Sequence, residues 1–219
     1  MKKLIIGNWK MNGNIDLLEN FVNAEGMDDV VISLPNILIG AVPHGFSGFK
    51  IGAQDCSVYS GYGAHTGEVS AEMLKELGVS HVILGHSERR SAGESKEQVL
   101  QKLKNVVNNN MIAILCVDEN YESLLDNETV DFITKYSDNV FLAYEPLSAI
   151  GTGVVPTVDE ISDVASNIKA KYGDIRVLYG GSVKSSNSSE ILSIQNIDGV
   201  LIGGSSLKLE ELKKINYNA

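Results

Sequence analysis

The chain has 219 residues, 43% of them hydrophobic, so it can bury one large core or two small ones. Its 18 basic and 28 acidic residues give a net charge of -10, which argues against a nucleic-acid or anionic-membrane surface. Two cysteines, Cys56 and Cys116, are too few for a disulfide framework and favour a reduced, cytoplasmic setting. The first residues lack the apolar run of a signal peptide, and no run approaches the roughly 20 residues of a membrane helix.

Short apolar segments rich in β-branched residues recur along the chain and predict eight strands. Each is too short for a helix and mostly apolar on both faces, which is typical of strands in a parallel sheet that is covered on both sides. The predicted strands are Lys3–Gly7, Asp29–Leu34, Phe49–Ala53, His81–Gly85, Met111–Cys116, Asn139–Tyr144, Arg176–Tyr179 and Gly199–Gly203.

Helical patterns occupy most of the intervals between these strands. Residues 15–22 form a short helical pattern, residues 35–43 hold barely two turns, and residues 119–138 predict a helix that is short or split. Capping residues and apolar stripes at helical spacing predict longer helices. These are a helix after Ser70, a stripe from Val99 to Val107, a helix from Thr157 to Gly173 and a weaker last helix over Leu207–Ile215.

Eight strands that alternate with helices, with no linker or charge run, predict a single domain over residues 1–219. The predicted fold is a closed parallel β/α barrel, small for a class that is typically about 250 residues long. A doubly wound open sheet is the alternative, because periodicity does not distinguish a closed sheet from an open one. The count of eight favours closure.

Glycine pairs follow the last two predicted strands. Gly180-Gly181 comes after strand seven, Gly203-Gly204 after strand eight, and Gly151 is available nearby. Backbone N–H groups that glycines expose bind anions, and barrels often bind phosphate at these two strand ends. The pairs therefore predict a phosphate cradle, although a glycine pair alone is also common in ordinary turns.

Three ionisable residues follow other strands, at the end of the barrel where active sites lie. Glu145 follows strand six before Pro146 and a glycine-rich segment, as a catalytic base beside a movable lid would. His86 follows strand four, where a helix start would keep its ring neutral. Lys10 follows strand one, where it could meet an anionic substrate, and Glu88 could hold it. The alternatives are a solvated glutamate and a structural histidine.

Other patterns limit the chemistry. The four histidines and two cysteines lack metal-ligand spacing, and neither a dinucleotide-binding nor a nucleotide phosphate-binding glycine motif occurs. A reaction without metal or cofactor is expected. Residues 56–69 form an unusually long connection with three glycines, which predicts a functional or partner-binding loop, with a flexible surface loop as the alternative.

Taken together, these residues resemble the triosephosphate isomerase family along essentially the whole chain. Their order and identity make the resemblance specific. The matching stretches are Gly7-Asn8-Trp9-Lys10-Met11-Asn12, Gly85-His86-Ser87-Glu88-Arg89-Arg90, Tyr144-Glu145-Pro146 with Ala149-Ile150-Gly151-Thr152-Gly153, Tyr179-Gly180-Gly181-Ser182-Val183 and Gly203-Gly204.

The resemblance implies interconversion of dihydroxyacetone phosphate and D-glyceraldehyde 3-phosphate, without a cofactor. It assigns Glu145 as the base, His86 and Asn8 as the groups that polarise the carbonyl, and Lys10 as the positive charge beside the substrate. Glu88 would organise the site. The backbone N–H groups of the phosphate site would come from Gly151, Ser182, Gly203 and Gly204.

The resemblance also implies a homodimer formed through the loop at residues 56–69, in which Thr66 reaches the partner's active site. The sequence departs from the family pattern at several positions, and its first and fifth helices are shortened. Ser148 stands at the amino-terminal hinge of the lid, where a tryptophan is common, and Val154 follows the lid, where a lysine is common. Ser148 lacks the packing of a large aromatic residue, which predicts altered lid opening rather than lost activity. Asp55 and Asp118 replace a common asparagine and glycine.

Two other functions are compatible with the same barrel. One is a catalytically silent phosphosugar-binding protein, which the combination of Asn8, Lys10, His86 and Glu145 disfavours because a binding protein needs no carboxylate base. The other is a phosphosugar aldolase or synthase. A Schiff-base aldolase would need a lysine deep in a central strand, and the sequence offers none.

Overall fold

The computed structural model describes residues 2–146 and 156–219. Ser148, Gly151 and Val154, and with them the predicted lid, lie outside the described residues.

Eight parallel strands close into one barrel, in which each strand pairs with its neighbours in chain order and β8 pairs with β1. The predicted barrel is confirmed and the open sheet is wrong. Each strand lies within two residues of its predicted bounds. The strands are β1 Leu4–Asn8, β2 Val31–Leu34, β3 Lys50–Ala53, β4 His81–Leu84, β5 Ile112–Val117, β6 Val140–Tyr144, β7 Arg176–Tyr179 and β8 Gly199–Ile202.

The helices lie in the intervals between the strands, with a 3₁₀ turn at Gly204–Leu207 after β8. The predicted split between residues 119 and 138 is confirmed by α6 and α7, and α9 is a helix that the sequence reading missed. The helices are α1 Ile15–Val22, α2 Asn36–Ile39, α3 Ala71–Glu76, α4 Ser87–Ser91, α5 Lys96–Asn108, α6 Tyr121–Leu124, α7 Asn127–Lys135, α8 Val158–Tyr172, α9 Ser185–Ser193 and α10 Leu209–Tyr217.

Side-chain caps explain where the two longest helices begin. Ser95 and Gln98 at the start of α5 each accept the other's backbone N–H, as do Thr157 and Glu160 at the start of α8. Such reciprocal caps satisfy backbone donors that would otherwise lack a partner. Gly173 ends α8 with a positive φ of 83°, which a residue with a side chain rarely adopts.

The strands bury both of their faces, which explains why they are apolar on both sides. In β1, Ile6 points into the barrel and Ile5 packs outward against the helices. The inner cluster comprises Ile6, Val31, Ile83, Ile114, Cys116, Phe141, Ala143, Leu178 and Leu201. This packed interior leaves no open channel through the described part of the barrel, so side chains at the carboxyl ends of the strands face a cavity with a closed floor.

The helices outside the barrel are short in the first and fifth connections, as the sequence predicts. α1 has 8 residues, and the fifth connection is divided between α6, with 4, and α7, with 9. Among residues 2–146 and 156–219, no helix is long and apolar enough to cross a membrane.

Candidate active site

A cavity of about 770 Å³ opens where the strands end. It brings together seven of the residues that the sequence predicts for the site: Asn8, Lys10, His86, Glu145, Ser182, Gly203 and Gly204. They come from five different strand ends, so the closed barrel is what makes them neighbours. Gly151 lies outside the described residues.

His86 and Glu145 are in direct contact, with 3.2 Å between Nε2 of His86 and Oε1 of Glu145. His86 caps α4, and its Nδ1 accepts the backbone N–H of Glu88 at 3.2 Å. A ring nitrogen that accepts a hydrogen bond carries no proton, so the imidazole has its proton on Nε2. The ring is therefore neutral and aims a donor at the cavity and at Glu145.

Glu145 is a buried carboxylate, with 3% of its surface exposed. Its backbone N–H donates to Val117 O at 2.7 Å, which ties it to the end of β5. Cys116 contacts the carboxylate, and burial, followed by the charge of Glu145, raises the pKa of its thiol well above its usual value. Among the described residues, Oε2 of Glu145 has no hydrogen-bond partner. A buried oxygen without a partner costs about 1–3 kcal/mol, and it is positioned to accept a proton.

Lys10 has a strained backbone, with a φ of 53° that lies in the left-handed region. Its N–H donates to Oδ1 of Asn8 at 2.9 Å, and its Nζ lies 2.7 Å from Oε1 of Glu88. The predicted pairing of Lys10 with Glu88 is confirmed. Strain of about 1–3 kcal/mol is typical of such a residue and persists where the surroundings enforce it. Asn8 and Glu88 are those surroundings, and they hold the ammonium group at the cavity.

Glycines and two further lysines form another wall of the cavity, next to Lys10. Gly204 begins the 3₁₀ turn, and Oγ of buried Ser206 donates to Gly203 O at 2.7 Å, which holds the turn. Lys184 and Lys208 also line this wall. In a chain with a net charge of -10, an anion is attracted here by these local groups rather than by the field of the whole protein.

The predicted loop at residues 56–69 makes contacts within itself. Ser57 N–H donates to Val69 O at 2.8 Å, and the rings of Tyr59 and His65 stack 3.5 Å apart. Thr66 is exposed and does not line the cavity of its own chain.

The two arginines of α4 each form an ion pair with an aspartate. Arg89 lies 3.0 Å from Asp55, and Arg90 lies 2.5 Å from Asp118. Trp9 is fully buried and packs edge-on against Phe21.

The sequence reading missed Cys116, Lys184 and Lys208 as site residues. Cys116 is an isolated thiol in β5 whose inward direction follows from strand alternation, a signal that was available. The two lysines follow the glycine pairs by a few residues, and the loops bring them back to the cavity. No group of His, Cys, Asp or Glu residues suited to a metal ion occurs within the described part of the chain.

The fold and the cavity together define a class. This is a β/α-barrel enzyme whose site offers a neutral imidazole, a buried carboxylate with one oxygen that has no partner among residues 2–146 and 156–219, and a wall of cations and backbone donors suited to a small phosphorylated substrate.

Comparison with known proteins identifies the family. The family model described as triosephosphate isomerase matches residues 3–219. The triosephosphate isomerase of Alkaliphilus oremlandii is 40% identical, with 99% of each chain covered, and that of a Ruegeria species is 38% identical, with 98% of this chain and 96% of the other covered. The crystal structure of triosephosphate isomerase from Bartonella henselae superposes with a TM-score of 0.79 at 34% identity and covers 100% of both chains.

The chain belongs to the triosephosphate isomerase family, and its activity is the isomerisation of triose phosphates, an aldose–ketose interconversion that serves glycolysis. The alignment with the Alkaliphilus protein spans 247 positions against 219 residues here, so that relative has residues that this chain lacks. This agrees with the short α1, α6 and α7.

Proposed function

We propose that the isomerisation proceeds by proton transfer through an enediolate, with Glu145 as the base. The observation that carries this proposal is the contact of 3.2 Å between His86 and a buried Glu145 whose second oxygen has no partner among the described residues. Glu145 would take the proton from the carbon next to the substrate carbonyl. A base that is held in place and shielded from water typically contributes about 100-fold to 10,000-fold to the rate.

His86 would act as the neutral donor to the substrate oxygens. Its Nε2–H is directed at the cavity because Nδ1 already accepts from Glu88. When a substrate enters, this donor can turn from Glu145 to the developing oxyanion. Asn8 is buried beside it, and its Oδ1 is held by Lys10 N–H. Preorganised donors of this kind stabilise charge that appears in the transition state.

Lys10 and the glycine wall would bind the phosphate and stabilise the negative charge of the intermediate. Lys10 reaches towards Gly203, where an added β-carbon would come within 3.7 Å of Lys10 Cε. Ser182, Gly203 and Gly204 would supply backbone N–H groups, and Gly151, outside the described residues, would complete the set. Glu88 would hold Lys10 in position through their ion pair.

A coupled assay with glyceraldehyde 3-phosphate tests the mechanism through Glu145→Gln. This change keeps the shape of the side chain and removes the base, so kcat should fall by about 1,000-fold or more while substrate still binds. Glu97→Gln on the exposed start of α5 is the control and should leave kcat unchanged. Full turnover by Glu145→Gln would refute the proposed base. Binding without turnover by the unaltered protein would favour the silent barrel.

We further propose a homodimer that forms through the loop at residues 56–69, with Thr66 near the partner's active site. The support is a loop tip that is exposed although the loop makes contacts within itself, together with exposed apolar residues: Met11 is 97% exposed, Ile37 84% and Tyr62 67%. Large apolar side chains that stay this exposed are typical of a surface that another protein covers when they form a patch.

Sedimentation equilibrium tests the dimer. The unaltered protein should have twice the mass of one 23.6 kDa chain. Tyr62→Asp and Thr66→Arg should yield monomers of lower activity, whereas Tyr217→Asp, at an exposed residue near the other end of the chain, should leave the mass unchanged. A monomer that is fully active would contradict the proposal.

The proposal also includes a single domain over residues 1–219 and a reduced, cytoplasmic setting. One barrel that uses all eight strands supports the first, and two free, buried cysteines support the second.

A further inference from the structure

We infer that Arg90 and Asp118 form a positioning pair that sets the separation between His86 and Glu145. This inference rests on the proposed acid–base roles of those two residues. Arg90 lies on α4, four residues after His86, and Asp118 follows β5. Neither residue is among the described residues that line the cavity, so the pair acts through the strand ends.

The guanidinium group of Arg90 joins the ends of β4 and β5. Its Nη1 donates to Gly85 O at 2.6 Å and to Cys116 O at 2.8 Å. The regular pairing of these strands ends at Leu84 and Leu115, one residue earlier on each strand. Arg90 therefore continues the connection between β4 and β5 at the point where backbone pairing stops.

Each of the two carbonyl groups belongs to a residue beside the proposed acid–base pair. Gly85 immediately precedes His86 and has a positive φ of 63°, a conformation that glycine adopts readily, so the direction of its carbonyl group is set by what that group contacts. Cys116 contacts the carboxylate of Glu145. The next residue, Val117, accepts the backbone N–H of Glu145. One planar group thus fixes the supports of both catalytic side chains.

Asp118 holds the guanidinium in this orientation. Its Oδ2 lies 2.5 Å from Nη2 of Arg90, and its Oδ1 accepts Asn120 N–H at 2.7 Å. The pair is mostly buried, with 20% of the arginine and 17% of the aspartate side chain exposed. A guanidinium can serve two carbonyls and a carboxylate at once because its donors form a rigid fork, which an ammonium group does not have.

The test uses Arg90→Lys and Asp118→Asn, and both changes preserve size closely enough for the barrel to fold. Arg89→Lys is the matched control, because Arg89 lies on the same helix and pairs with an aspartate that does not contact His86 or Glu145. The measurements are kcat, KM, inhibition by inorganic phosphate and the ¹⁵N chemical shifts of the His86 ring. Cooperative thermal unfolding establishes that each variant is folded.

A displaced acid–base pair should lower kcat by about tenfold to 100-fold, as expected for misplacement by less than about 1 Å. KM and the inhibition constant for phosphate should stay within about twofold, because the cradle lies at β7 and β8. The Nε2 signal of His86 should shift in both variants and not in Arg89→Lys.

Unchanged kcat in both Arg90→Lys and Asp118→Asn, in an enzyme that Glu145→Gln inactivates, would overturn the positioning role alone. An equal loss in Arg89→Lys, or a KM that rises in step with the fall in kcat, would also overturn it by showing a general structural effect. Full turnover by Glu145→Gln, with Arg90 and Asp118 intact, would refute the proposed function, and the positioning role with it.

Discussion

Gly180 lies so close to Glu145 that a β-carbon added there would come within 2.6 Å of Glu145 Cγ. The glycine after β7 therefore does more than open a turn, since it leaves the space that the carboxylate occupies. Its backbone N–H also donates to Tyr144 O at 2.8 Å, which joins β7 to the residue before Glu145.

Gly180→Ala should move the carboxylate of Glu145 away from His86 and lower kcat by at least about tenfold, since catalysis depends on sub-ångström placement. Steady-state kinetics measure the effect. Gly40→Ala is the control, because Gly40 has a helical φ of -67° and an added β-carbon there meets nothing within 4 Å. Unchanged kcat in Gly180→Ala would show that the carboxylate does not need this space.

His86→Gln should lower kcat by about 100-fold to 10,000-fold. The hydrogen bond from the backbone N–H of Glu88 to Nδ1 aligns the Nε2–H donor of His86, and a glutamine amide cannot reproduce that alignment. His81→Gln is the control, since His81 lies at the opposite end of the same strand. A similar loss in both variants at neutral pH would indicate damage to β4 rather than to the site.

Lys208→Gln should raise KM several-fold and leave kcat nearly unchanged, because Lys208 lines the cavity wall that we propose to bind phosphate and is exposed to solvent. Surface attraction is screened within about 8 Å at physiological salt, so the difference from the unaltered enzyme should shrink as salt is added. Lys75→Gln, on α3 and outside the cavity lining, should leave KM unchanged at every salt concentration. A salt-independent change in KM would contradict an electrostatic role for Lys208.

His81 should make the protein less stable in mild acid. Burial, followed by the charge of Lys50, lowers the pKa of His81 from 6.5 to about 4 in the folded state. Above pH 6.5 the histidine is neutral in both the folded and the unfolded state, so its contribution to stability is fully present. Between pH 6.5 and 4 the unfolded chain binds a proton that the folded chain does not, so stability falls by roughly 3 kcal/mol in total.

Urea unfolding of the unaltered protein and of His81→Gln across this pH range tests the linkage. The free energy of unfolding should fall less in the variant than in the unaltered protein between pH 6.5 and 4. Above pH 7 the free energies of the two proteins should change with pH in parallel. If the free energy of unfolding changed equally with pH in both proteins over the whole range, the fold would not keep His81 neutral.

Lys102→Met should destabilise the protein by about 3–5 kcal/mol, because it leaves the buried carboxylate of Glu94 without its cation and leaves Asp55 paired with Arg89 alone. Lys102 lies 2.7 Å from Asp55 and also contacts Glu94, and only 7% of its side chain is exposed. Burial alone would lower the pKa of Lys102, but the hydrogen bonds with Asp55 and Glu94 reverse this effect and raise it.

Lys104→Met is the matched control on the same helix. Lys104 pairs with Glu128 at the surface, and an exposed pair contributes at most about 1 kcal/mol. Denaturant unfolding at one fixed protein concentration compares the variants without interference from association. Equal free energies of unfolding for the two variants would show that the buried cluster adds nothing to stability.

Most strands and helices could be predicted because the sequence patterns that specify them are local. Apolar runs predicted the strands to within two residues, and the capping residues Ser70 and Thr157 predicted where α3 and α8 begin. α9 was missed because its sequence, rich in serine and asparagine, has weak helix propensity. It forms because Ser188, Ile191 and Leu192 are buried against the barrel, an effect of packing.

The sequence by itself determined the eight-fold alternation, the residues at each strand end and the family to which they belong, because these depend on residue order. The tertiary structure decided which of these residues meet. It brings His86 into contact with Glu145, places Gly180 close to Glu145 and lets Arg90 join the ends of β4 and β5. Those residues are far apart along the chain and meet only because the barrel closes. The register of parallel strands sets such contacts, and no local pattern encodes it.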